Sequence, residues 1–125
     1  MRVARPTDRL AEIARMYAAG LGLEKLARFE DHAVFDGVIL GKRGESYHLE
    51  FTSQHGHAAG RAPSPEHLLV FYVPQEDDWE SRCAAMDAAG FARVPSNNPY
   101  WDAAGRTYED LEGYRVVVAR REWER

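Results

Sequence analysis

The stretch SYHLEFTSQHGH, residues 46–57, sets an imidazole and a carboxylate two positions apart, His48 and Glu50, between the apolar residues Tyr47, Leu49 and Phe51. Successive side chains of a strand point to opposite faces. The spacing therefore predicts a half-buried strand with Tyr47, Leu49 and Phe51 on one face and His48, Glu50 and Thr52 on the other. Facing a hollow, the polar set could hold a metal, move a proton or form an ion pair; facing bulk water, it is ordinary strand surface.

The elements that must position this strand follow from pattern. RVAR, near the N-terminus, reads as a strand stopped by Pro6. Thr7 and Asp8 supply N-cap chemistry for a helix whose apolar stripe is Leu10, Ile13, Ala14 and Tyr17, and Gly20 and Gly22 punctuate its end. Strands EKLARFE and FDGVILGKR, a turn at Gly44 and Glu45, and YHLEFT complete a β-α-β-β-β series. HLLVFYV then restarts the same syntax and ends at Pro74. Glu76, Asp77 and Asp78 favour a helix N-terminus, Trp79, Cys83 and Met86 form its stripe, and Gly90 closes it. A strand FARVPS, a long loop NNPYWDAAG and a hairpin RTYEDLEGYRVVVAR turning near Glu112 and Gly113 follow. Residues 2–54 align with 67–121 as an internal duplication, with SQHGHAAGRAPSPE as linker.

Composition bounds what such a chain does. With 125 residues, 45% hydrophobic and 29% charged, it is read as one domain spanning 1–125, module 1 about 1–54, linker about 55–65 and module 2 about 66–125. The single cysteine, Cys83, excludes an intramolecular disulfide framework, and the charged opening MRVARPTDRL is unlike a secretion signal, so a cytoplasmic protein is expected. No run approaches the ~20 apolar residues of a membrane span. A net charge of −4 without a basic block argues against nucleic acid. A small organic molecule or another protein remains as partner.

The segments FYVPQEDDWESRCAAMDAAGF, DLEGYRVVV and YHLEF resemble the vicinal oxygen chelate superfamily of glyoxalases, extradiol dioxygenases and bleomycin-resistance proteins. FDGVILG, YHLEFT, LLVFYVP and NPYW are similar to its YycE-like branch. The resemblance covers almost the whole chain. It implies an α+β fold of two βαβββ modules forming a curled mixed sheet with helices on the convex face and a ligand held on the concave face, in a homodimer. His48, Glu50 and Thr52 then face the hollow.

Metal-using members of the superfamily place ligands on the first and last strand of each module. The matching positions are Arg2 and Glu50 in the first copy, and His67 and Val117 in the second, with RVAR set against HLLV and YHLEF against YRVVV. A guanidinium has no lone pair to donate and valine no donor atom, so the ligand set is broken. No cofactor is expected. A divalent metal would need Glu50, His67 and His48 together. Without one, Arg2 supplies the positive charge, pairing with Glu50 across the pseudo-symmetry axis while His67 hydrogen-bonds the same carboxylate. A carboxylate tied in an ion pair suits binding better than base catalysis.

Arg115 shares the face of Val117 and is either a second charge for an anionic ligand or a surface group covering an edge. Tyr100 and Trp101, in the long loop, are either rim rings that stack on a ligand or a hydrophobic plug. His55 and His57, in a glycine-rich linker, read as solvated, and Cys83, on an apolar stripe, as an inert core thiol. Three functions stand. The first is a small-molecule binding protein with Arg2, His48, Glu50, His67, Tyr100, Trp101 and Arg115 as ligand-binding residues. The second is a metal-dependent lyase, isomerase or dioxygenase, and the third a non-catalytic partner-binding subunit.

Overall fold

The structure, a computed structural model, describes residues 1–123, and the chain divides into two compact units, Met1–Gly60 and a second beginning at Arg61. The first contains β1 (Arg2–Pro6), α1 (Leu10–Leu21), β2 (Glu24–His32), β3 (Phe35–Gly41) and β4 (His48–Gln54). Its four strands form one mixed sheet in the order β1-β4-β3-β2, with β1 parallel to β4 and the other pairs antiparallel. Pro6 is tolerated because it ends an edge strand, where a missing N–H costs no ladder bond.

Alternation along β4 works as the spacing predicts. Leu49 and Phe51 are buried and α1 covers them, with the Tyr17 ring 4.8 Å from that of Phe51. Ile13, Ala14, Met16, Tyr17 and Leu21 form the buried stripe of α1, and Gly22 ends it in the left-handed conformation, φ 67°. The start of α1 differs from expectation. Arg9, not Thr7 or Asp8, occupies the N-cap and makes no side-chain cap bond. Thr7 Oγ1 instead accepts from Arg9 N at 3.0 Å, and the Asp8 carboxylate accepts from Ala59 N and Gly60 N at 2.7 and 2.9 Å. Asp8 thus ties the far end of the unit back to its first turn, and those two amide donors hold its carboxyl below the usual range.

The second unit repeats the plan with β5 (Leu68–Tyr72), α2 (Glu76–Ala88), β6 (Ala92–Val94), α3 (Tyr100–Ala103), β7 (Gly105–Glu109) and β8 (Arg115–Ala119). Its sheet has the matching order β5-β8-β7-β6, with β5 parallel to β8. Trp79, Cys83 and Met86 are the buried residues of α2. Trp79 Nε1 donates to Val118 O at 2.9 Å, and the Tyr108 hydroxyl donates to Cys83 O at 3.3 Å, so each polar ring atom taken from water finds a carbonyl. Burial pushes the Tyr108 phenol up to about 12 and raises the Cys83 thiol, which leaves the cysteine an inert core group. In the DLEGY turn, Asp110 Oδ1 accepts from Glu112 N and Tyr114 N while Gly113 takes φ 89°, which gives that motif its physical reason. The NNPYWDAAG stretch, read from sequence as a loop, contains the single helical turn α3, too short for periodicity to reveal.

The β2–β3 turn carries left-handed backbone at Asp31, Ala33 and the β-branched Val34, a conformation that costs energy. Hydrogen bonds hold it in place. Asp36 Oδ1 accepts from Asp31 N at 2.7 Å and lies 2.9 Å from His55 Nε2, while His55 N donates to Val34 O at 2.8 Å. His55 is therefore a clasp, where its linker setting read as solvated. Its hydrogen bond to Asp36, aided by the charge of Asp31, raises the imidazole, and the Asp31 amide, His55 and Arg28 lower Asp36. The His55 contribution is complete below the ordinary imidazole pKa and is lost as pH rises through the raised value. The Asp36 contribution is complete above the ordinary carboxylate value and is lost as pH falls through the lowered one. In an NMR titration His55 should have its midpoint above the unperturbed 6.5 and move back toward it in Asp36→Asn; an unchanged midpoint would refute the clasp.

Candidate functional site

The helix-free face of the first sheet carries the charged cluster. Parallel pairing sets Arg2 directly opposite His48 and Ala4 opposite Glu50, so the side chains of Arg2, His48 and Glu50 emerge on one face, away from α1. Arg2 Nε donates to His48 Nε2 at 2.7 Å, and Arg2 Nη1 lies 3.4 Å from Glu50 Oε2. An imidazole nitrogen accepts only where it carries no proton, so this bond places the His48 ring proton on Nδ1. Glu50 is well covered, its side chain 16% exposed, whereas Arg2 at 47% keeps further N–H donors open.

The expected Arg2–Glu50 pair is present, with two corrections. It forms between neighbouring residues of one sheet rather than across a symmetry axis, and His48 is the nearer partner of the guanidinium. The strand registers also shift the duplication by one residue. Arg2 lies opposite His48 and Leu68 opposite Arg115, so Arg2 is matched by Leu68, not by His67. His67 is exposed and precedes β5.

Sequence reasoning passed over the floor and walls of the face. Gly41 is opposite His48 and Gly37 opposite Thr52. A Cβ on Gly41 would come 2.6 Å from Leu26 Cδ1 and 3.2 Å from His48 Cβ, and one on Gly37 would come 2.2 Å from Phe29 Cζ. Leu26 and Phe29 thus fold over backbone that lacks side chains and wall the cluster with apolar surface. The signal was two glycines four apart inside the strand FDGVILG, since a strand-interior glycine marks close approach.

The second unit solves the same face differently. Arg115 and Glu109 are directly opposite and bonded, Nε to Oε2, at 3.0 Å, and Arg115 Nη1 also donates to Pro95 O at 3.3 Å. Val117 and Thr107, the counterparts of Glu50 and Ile39, are completely buried. Arg115 is therefore already engaged. Tyr100 is 51% exposed and meets Trp101 edge-on with ring centroids 4.9 Å apart, while the Arg121 guanidinium lies 4.6 Å from the Tyr100 ring centre and donates to its hydroxyl at 2.6 Å. His57 is exposed.

The donor set does not fit a metal. Within the cluster, Arg2 Nε takes the lone pair of His48 Nε2 that a cation would need, and its guanidinium stands against the Glu50 carboxylate. Among the described residues no group of three or more His, Cys, Asp or Glu is placed to hold a metal ion. The described residues also contain no helix long and apolar enough to cross a membrane.

Comparison with known proteins agrees with both halves of the plan. Residues 1–52 match a YycE-like N-terminal domain and residues 66–120 a YycE-like C-terminal domain. The chain is 42% identical over 117 residues to the uncharacterized protein YycE of Bacillus subtilis (strain 168), covering 94% of this chain and 84% of that one. A crystal structure of a YycE protein of unknown function from Bacillus subtilis superposes with a TM-score of 0.91 at 40% identity, over 99% of this chain and 90% of that chain. The fosfomycin resistance protein FosX of Listeria monocytogenes, crystallised with Mn(II) and a dihydroxypropylphosphonic acid, shares the fold. Its TM-score is 0.70 at 9% identity, over 95% of this chain and 89% of that one.

Gly37→Ala tests the wall. The clash falls on the far end of a side chain that can swing, so the variant should fold, with a Tm lowered by a few degrees at most, while NMR shows the Phe29 ring displaced. An unmoved ring would mean that the glycine does not shape this face.

Proposed function

The chain belongs to the YycE-like family of the vicinal oxygen chelate superfamily, and from that premise we propose that it binds a small organic molecule on the helix-free face around Arg2, His48 and Glu50, without a resident metal. The observation that carries this reading is the guanidinium bonded to both groups that would otherwise ligate a cation. Arg2 supplies fixed positive charge. Its unused N–H donors suit an oxygen of the ligand, such as a carboxylate, phosphonate or polarised carbonyl, and Glu50 and His48 hold the fork in one orientation. Leu26 and Phe29, lying over the two glycines, offer apolar contact to the body of the ligand. In the second unit, taken by itself, the Tyr100–Trp101 pair is available for stacking on a ligand. A homodimer is part of the proposal, and sedimentation velocity checks it.

The pair's own stability is small, about 0.2–1 kcal/mol for a contact this open to water, so its role is orientation. Elemental analysis of protein purified without chelator, then incubated with Zn, Mn, Ni or Fe(II) salts, should find no stoichiometric metal. Arg2→Ala frees His48 and Glu50 and should raise metal retention while lowering ligand affinity. A metal at one equivalent in the native protein, lost in Glu50→Gln, would overturn the proposal and favour a metal-dependent enzyme.

A further inference from the structure

The opposite face of the first sheet holds a second cavity, lined by none of Arg2, His48 and Glu50. The helix α1 packs chiefly over β3 and β4, and an open groove of about 470 Å³ lies between it and the edge strand β2. This is within the range of about 300–1,000 Å³ usual for organic ligands. Its floor is apolar, made by Ala14 and Ala18 of α1 and by Val38 and Leu40 of β3. The small alanine side chains on this flank of the helix are what create the space.

Charge around the groove is asymmetric. Its two carboxylates are engaged, Glu30 with Arg28 and Asp36 with His55. Arg15, exposed on α1, and Lys25, exposed on β2, also line it, and neither has an acidic partner among the described residues. Lys25 lies opposite the buried Leu40, so its side chain leaves the sheet on the helix side, at the rim. Two unpaired cations thus stand over an apolar trough. We propose that this groove binds an amphipathic organic monoanion, an apolar chain or ring with one carboxylate, whose body lies on Ala14, Ala18, Val38 and Leu40 and whose charge meets Arg15 and Lys25.

The test uses decanoate, below its micellar concentration, titrated into the full chain and followed by ¹⁵N-HSQC and calorimetry, with decyltrimethylammonium as the cation of equal chain length. Decanoate should bind once, with shifts confined to α1, β2 and β3, and the cation should not saturate the site. The double variant Arg15→Glu, Lys25→Glu changes only exposed residues and should weaken decanoate by about tenfold. Ala18→Leu keeps a good helix former and fills the trough, so it should abolish binding with helix content unchanged. No saturable binding, equal binding of anion and cation, or shifts at Arg2 and Glu50 instead would overturn the assignment. So would a change of association state in Ala18→Leu by sedimentation velocity, since that would make the groove a protein interface.

Discussion

The arrangement of charge in the first unit depends on one register, Arg2 opposite His48 in the parallel β1–β4 pair. Because facing residues of neighbouring strands share a side, that register alone brings Arg2, His48 and Glu50 to one face and sends Val3, Leu49 and Phe51 to the other. A slip of one residue would put the guanidinium under α1 and an apolar side chain beside the carboxylate. The ladder reaches to the chain's first residue, since His48 N donates to Met1 O at 2.9 Å. Arg2 is therefore a strand residue with a defined direction.

The duplication preserved the ladder while reassigning the groups upon it. In the first unit an arginine on the first strand meets a histidine and a glutamate on the last. In the second, an arginine on the last strand meets a glutamate on the third, and valine fills the position of Glu50. β8 also reads differently from β4. Val116, Val117 and Val118 are buried in succession, the mark of a strand covered on both faces, whereas β4 alternates. The open cluster thus belongs to the first unit and the closed, mutually satisfied pair to the second.

Much of this was legible in residue spacing. Alternation through YHLEF gave the two faces of β4, the stripe of α2 appeared as read, that of α1 did so in part, with Leu10 only half-buried and Met16 and Leu21 added, and the repeated syntax exposed the two modules. Three things were not legible. Pairing His67 with Arg2 failed because aligning strand beginnings fixes register only to within a residue, while hydrogen bonding fixes it absolutely. Asp8 looked like a helix cap because the amides of Ala59 and Gly60 that it binds are some fifty positions away in sequence. The Leu26 and Phe29 walls depend on side chains crossing glycine from a neighbouring strand, a contact that period-two reasoning within one strand does not contain.

The central claim is that the Arg2 guanidinium, not a metal, ties His48 to Glu50. Long-range ¹H–¹⁵N NMR of the imidazole, with a search for scalar coupling across the N–H···N bond, tests it at the atoms concerned. The account predicts a His48 ring protonated at Nδ1, with a bare Nε2 coupled to Arg2 Nε, and loss of that coupling in Arg2→Ala. A ring protonated at Nε2, or one whose Nε2 signal moves on adding a divalent metal to the native protein, would contradict it.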